Sequence, residues 1–183
     1  MSDRSTKFLR AKDLIGELVV KEVERSWHAT FEREVARVPD FAAPLLHQLH
    51  DFWLDCRGAS DVPNRDAFDP FNLRPWLGHI SIYEMIQDGA DFRIRLEGTS
   101  IVAITGEDWT GRRASDVDRR YGSRLVDFMK TTIRTHQPAI HTMRLFQNNI
   151  EFITRLLLPI RSHPLGPVDQ VFLEMYADPQ QTA

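Results

Sequence analysis

The sequence predicts an α+β domain: a five-stranded antiparallel sheet with helices on one face, preceded by an N-terminal helical extension. Three observations predict it. Two strand-like segments, residues 79–86 and 91–97, follow a proline-rich connector; helical patterns fill the middle of the chain; three further strand-like segments close it. With 183 residues, 42% of them hydrophobic and 27% charged, the chain can bury a full core without covalent staples.

In the first forty residues Ile15, Val19, Val23, Trp27, Phe31, Val35 and Val38 recur three or four positions apart. That spacing marks one face of a helix, or of two helices hinged near Ser26. Most steps are four residues, so no strict heptad is kept. Residues 1–39 are therefore expected to dock on their own domain or to act as a dimerisation helix. Asp40 and Pro44 signal the start of a second helix through Leu45, Leu46, Leu49, Phe52, Trp53 and Cys56, which Gly58 ends. Beyond it, Pro63, Pro70 and Pro75 block regular structure up to residue 75.

Gln87-Asp88-Gly89-Ala90 joins the first two strands, its Asp-Gly pair supplying the positive φ of a hairpin turn. Phe92, Ile94 and Leu96 alternate with Arg93, Arg95 and Glu97, which predicts one buried and one wetter face. Residues 99–105 form a short helix, another follows Gly111, and residues 121–136 form a longer one through Leu125, Val126, Phe128, Met129 and Ile133, stopped by Pro138. Strands at 139–147, 150–161 and 168–176 complete the domain, with turns at Asn148-Asn149 and at residues 163–167. The domain spans residues 40–177, and residues 178–183 are a frayed tail.

Composition excludes several function classes. A formal charge of -3 and a pI near 6.2 supply no basic field for nucleic acid or anionic lipid. No run approaches the roughly 18 apolar residues that span a bilayer, and the N-terminus is charged rather than signal-like. The single cysteine, Cys56, excludes an internal disulfide and fits a reducing, cytoplasmic setting.

No catalytic or metal site is assigned. His47 and His50 lie three apart near Asp51 and Asp55 but lack a third ligand, so they read as a polar helix face. His79, His136 and His141 have no signature spacing, and Ser100, Ser115 and Ser123 have no nucleophile elbow. Gly89, Gly98 and Gly106 form no phosphate fingerprint. Glu174 alternates with Val171, Leu173 and Met175, and an outward, solvated position is expected because an unpaired buried carboxylate is costly. Turned inward, it would pair with Arg144 or Arg155, or bind a polar ligand. Apolar residues on both strand faces, such as Tyr83 and Met85 against Ile80 and Ile82, require something to cover the second face; the N-terminal helix or a partner protomer is the expected cover.

Trp53, the connector Pro63…Arg65…Phe68-Asp69-Pro70, the strand into Glu97-Gly98-Thr99, then Gly106…Thr110-Gly111, and finally Leu157-Leu158-Pro159-Ile160 stand in a distinctive order. On these motifs residues 45–177 resemble a PAS domain, more narrowly the small proteobacterial PAS family formerly classed as a domain of unknown function. Asn148-Asn149, in place of a turn glycine, and Glu174, in place of a small residue, depart from that pattern and bear on any shared ligand rather than on the fold. The resemblance implies a stand-alone sensory or regulatory domain, not an enzyme, whose signal passes through the N-terminal helix or a dimer interface. Its small, mostly apolar pocket would be lined by Tyr83, Phe92, Ile94, Leu96, Ile101, Trp109, Met129, Ile133, Met143, Phe152, Thr154 and Leu156. Expected partners are a small apolar ligand, a separate signalling protein and a second copy of the chain; the cofactor is left open, and Cys56 is not placed as the photoreactive cysteine of flavin-binding PAS domains. A protein-interaction adaptor with a filled cavity and a small cone-fold isomerase-like enzyme stay open as alternatives.

Overall fold

The computed structural model describes residues 31–147 and 149–178. The stripe Ile15, Val19, Val23 and Trp27 and the hinge at Ser26 lie outside the described residues, as do positions 179–183. The first described element corrects an expectation: Phe31–Val35 is not helical but a strand, β1. A spacing of four residues is two periods of a strand as well as roughly one turn of a helix, and pairing with a distant strand decides between them.

After β1 come helix α1 (Pro44–Arg57), strands β2 (Ile80–Ile86) and β3 (Asp91–Leu96), helices α2 (Thr99–Thr105), α3 (Ala114–Tyr121) and α4 (Leu125–Thr135), and strands β4 (Ala139–Gln147), β5 (Asn149–Arg161) and β6 (Val168–Ala177). The antiparallel sheet has the order β1-β4-β5-β6-β2-β3, six strands where five were expected. Gln87, Asp88 and Gly89 all take positive φ in the β2–β3 turn, as the Asp-Gly pair predicts.

Each face of the sheet carries its own core. On one face α2, α3 and α4 pack over Tyr83, Phe92, Ile94, Met143, Ile153, Leu157, Val171, Leu173 and Met175. Helix α4 is held in place at its start by Asp118, whose carboxylate accepts the Leu125 and Val126 backbone N–H groups at 2.7 and 3.0 Å. The other face carries Ile80, Ile140, Leu156, Leu158, Ile160 and Phe172, covered by α1 and the connector through Leu46, Leu49, Trp53, Phe68 and Trp76. Much of the second face is thus covered from within the domain, by the helix that begins at Pro44.

Two tryptophans secure this cover. The Trp53 indole N–H donates to the Pro159 carbonyl at 2.9 Å, and that of Trp76 donates to the Leu45 carbonyl at 2.8 Å. Pro159 sits in the interior of the sheet, where proline is normally excluded. Strand β4 reaches along β5 only as far as Leu157, so the proline lies past the end of that neighbour and its carbonyl is free to take the indole.

Candidate functional site

On the helix-covered face, a cavity of about 50 Å³ lies between the sheet and α2–α4. Its walls come from Tyr83 on β2, Met143 on β4, Ile153 and Arg155 on β5, and Leu173 and Met175 on β6; Ile101, Thr105, Trp109, Val117, Tyr121, Ser123, Leu125 and Glu97 close it. Because strands alternate, every second residue of four neighbouring strands reaches the same space.

Most of this lining is apolar, and the polar groups are specific. Trp109 meets Tyr121 edge-on, with ring centroids 6.0 Å apart, and the Tyr121 hydroxyl donates to the Thr105 carbonyl at 3.0 Å. The Glu97 carboxylate accepts the Trp109 backbone N–H at 2.5 Å, which ties the loop after α2 to the end of β3. Burial raises the Glu97 pKa to about 7, Asp108 adds to the rise, and the Trp109 N–H opposes it. The Tyr83 phenol is pushed well above its ordinary range, first by burial and then by the charge of Glu97, so it is a neutral donor.

Arg155 projects from the middle of β5 into this apolar setting. Its Nη2 lies 3.2 Å from Glu32 Oε1 on β1, with the two side chains 4% and 3% exposed. The other oxygen of Glu32 accepts the Arg124 backbone N–H at 2.9 Å. Nε and Nη2 of Arg155 make no aligned hydrogen bond, so the pair is held by charge and proximity. His141, cross-strand from Arg155, is packed against the Phe128 ring at 4.0 Å; burial first, then Arg155 and Arg124, lower its pKa to about 3.

Four of the residues expected at the pocket, Tyr83, Ile101, Trp109 and Met143, line the cavity. Phe92, Ile94 and Met129 are buried in the same core, with Ile133 packed against it, and give the walls their support. The other four lie elsewhere. A register shift between Ile82 and Tyr83 places Leu96 opposite Ile82 and leaves it 47% exposed. Leu156 belongs to the opposite core, Thr154 donates to Asp178 at 2.9 Å, and Phe152, 37% exposed, borders a groove on that opposite face. On β5 the inward residues are Ile153, Arg155 and Leu157, one position along from the expected set. The physical reason is that every residue from 153 to 160 is buried, so no polar alternation marks the faces.

Glu174 corrects another expectation: its side chain is wholly buried on the α1 face, opposite Leu156 and Ile80. Burial raises its pKa to about 9, against a hydrogen-bonding influence from Tyr176, so it is held as a neutral acid. Arg155 points to the other face and pairs with Glu32, and Arg144 lies over the Phe152 ring at 4.8 Å. His79 stacks on Tyr176 at 4.0 Å, close by Glu174 along the same strand. His47 faces the Pro39 carbonyl at 3.1 Å, and His136 pairs with Asp61 at 2.7 Å. Cys56 lies beside the α1 core, and burial raises its thiol pKa.

A second, open space of about 670 Å³ runs along the α1 side of the sheet, past the end of the α1 cover. It is bordered by Arg33 and Val35 of β1, by Arg37 and Phe41, and by Arg144 and Phe152. Strand β1 therefore has Glu32 on the cavity side and Arg33 on the groove side. Among the described residues, no helix is long and apolar enough to cross a membrane.

Residues 42–169 match the model of a protein family described as PAS domain. No curated protein matches the chain. Among solved structures, the chain is similar to an RNA-binding light-oxygen-voltage receptor, at 12% identity and a TM-score of 0.45, over 82% of this chain and 38% of that one. The chain thus spans well under half the length of that receptor.

Proposed function

The chain belongs to the PAS domain family, and from that premise we propose that it is a sensory or regulatory module whose helix-side cavity holds a small ligand. The observation that carries this reading is the cavity itself: about 50 Å³, walled by Tyr83, Trp109, Met143 and Leu173, with Arg155 and Glu97 among its ionisable groups. A water needs roughly 10–15 Å³ measured in this way, so the space suits a compact molecule of a few heavy atoms rather than a flavin or haem. Occupancy acts on the edge strand β1 and the chain before it, since Glu32 reaches the cavity wall from that strand.

Partner binding is the second reading, and the groove beside Arg33, Arg37 and Arg144 favours it. Its apolar floor and the excess of three guanidinium groups over the carboxylates of Glu34 and Asp178 suit an amphipathic acidic segment, from a signalling protein or a second copy. The two readings combine if the cavity controls access to the groove.

Native mass spectrometry of the protein purified from cells, with an absorbance spectrum, tests the ligand reading. A small retained mass released on denaturation is the expected result. A protein empty in every preparation, with no change in melting temperature across a panel of small metabolites, would favour the adaptor.

A further inference from the structure

The polar groups at the cavity are chiefly donors. Arg155 presents a guanidinium with two nitrogens that lack an aligned acceptor, Tyr83 brings a phenol held neutral by burial, and Glu97 is half protonated near neutrality, when it donates as well. The neighbouring anion Asp118 is already occupied by two backbone N–H groups and by the Ser123 hydroxyl at 2.5 Å. Among the described residues Glu32 is the carboxylate within ion-pair distance of Arg155, with Glu97 elsewhere on the cavity wall, and Glu32 comes from the edge strand.

We infer that the cavity takes a short-chain monocarboxylate whose carboxylate replaces that of Glu32 on Arg155, and that this exchange loosens β1 from the sheet. The inference rests on the ligand-holding reading above. A single guanidinium balances a single negative charge, and a dianion such as phosphate would carry an unpaired charge into low dielectric. The apolar wall of Ile101, Met143 and Leu173 accommodates a short alkyl tail, and the volume limits it to about three or four carbons. An alcohol of the same length would fill the space but leave the guanidinium unanswered once Glu32 moved away. The exchange reaches β1 because Glu32 and the Arg124 N–H it accepts are the side-chain ties of that strand on the cavity side. Once they part, what holds β1 there is its backbone ladder with β4.

Titration calorimetry of the full chain with acetate, propionate, butyrate and butan-1-ol, with hydrogen exchange read at the amides of residues 31–35, tests this. Propionate or butyrate is expected to bind at least about tenfold tighter than butan-1-ol and to speed exchange in β1 while slowing it in the cavity walls. Arg155→Gln would abolish binding but leaves Glu32 buried without its partner, so the decisive variant is Glu32→Gln. It removes the internal competitor and is expected to tighten carboxylate binding about five- to tenfold, with β1 exchange fast before any ligand is added. Equal binding of butyrate and butan-1-ol, or unchanged or weaker carboxylate binding by Glu32→Gln, would overturn the inference. Binding of butan-1-ol without any carboxylate would overturn the ligand class and leave the ligand-holding reading standing. If no probe binds and the purified protein is empty, both fall.

Discussion

Gly98 lies so close to Gly78 that a methyl group on its α-carbon would stand 2.2 Å from the Gly78 carbonyl oxygen and 2.8 Å from that of Ile80. Its φ of -68° is open to any residue, so the requirement is space and not conformation. The Gly78 carbonyl is also the acceptor for the Ser100 and Ile101 N–H groups at 2.9 and 3.3 Å, so neither side of the contact yields readily. Gly98→Ala is expected to destabilise the fold by at least ~3 kcal/mol, as backbone overpacking does. Gly111→Ala, at φ +85° with open space around its α-carbon, should cost only about 1 kcal/mol. Urea melts of the two variants check the contrast, and equal losses would refute the spatial argument.

Glu174 makes stability fall as pH rises. The folded protein keeps a proton up to about pH 9 that the unfolded chain releases near its ordinary value of 4.5, so the folded state binds more protons throughout that window. The slope approaches ~1.4 kcal/mol per pH unit at most. Glu174→Gln keeps the shape without the titration, and its advantage over the parent is expected to be small at pH 5 and largest near pH 8.5. Parallel stability profiles between those values would exclude a buried neutral acid.

Removing one member of the Arg155–Glu32 pair leaves the other charged and buried. Arg155→Met alone is expected to lose about 3–5 kcal/mol, and Arg155→Met with Glu32→Leu should recover most of that. A double-mutant cycle by chemical denaturation measures the difference. Additive losses would show that the two side chains do not act on each other.

Trp53 and Pro159 are coupled across the α1 face. Trp53→Phe keeps the aromatic packing but deprives the Pro159 carbonyl of its donor, with an expected loss of about 1–3 kcal/mol. Thermal melts of Trp53→Phe and Trp76→Phe, each missing one indole-to-carbonyl bond, should give shifts of the same order.

The order of elements was legible because punctuation carries it: Gly58, the Asp88-Gly89 turn, Pro138 and the turns between the last strands stop one pattern before the next begins. The cavity was less legible, and the loss can be placed on particular residues. Alternation requires a wet face, which β3 has and the centre of β5 lacks, so the sequence points Phe152, Thr154 and Leu156 inward where the fold places Ile153, Arg155 and Leu157. The displacement of Leu96 comes from a local register shift that no composition signals. Arg155 was hidden by its apolar neighbours, and its partner Glu32 sits in a segment whose spacing suits a helix equally well. Glu174 was expected outside on the general cost of buried charge; the protein meets that cost by keeping the group neutral.

The place of β1 in the chain carries a consequence for the order of assembly. Phe31–Val35 leaves the ribosome early, yet its pairing partner Ala139–Gln147 is made only after the other edge hairpin and all three helices of the cavity face. During synthesis the strand that holds Glu32 has no pairing partner until β4 has been made. The tether to Arg155 therefore waits for β5 as well, while the pairing of β2 and β5 through β6 waits longer still, for the last strand of the domain.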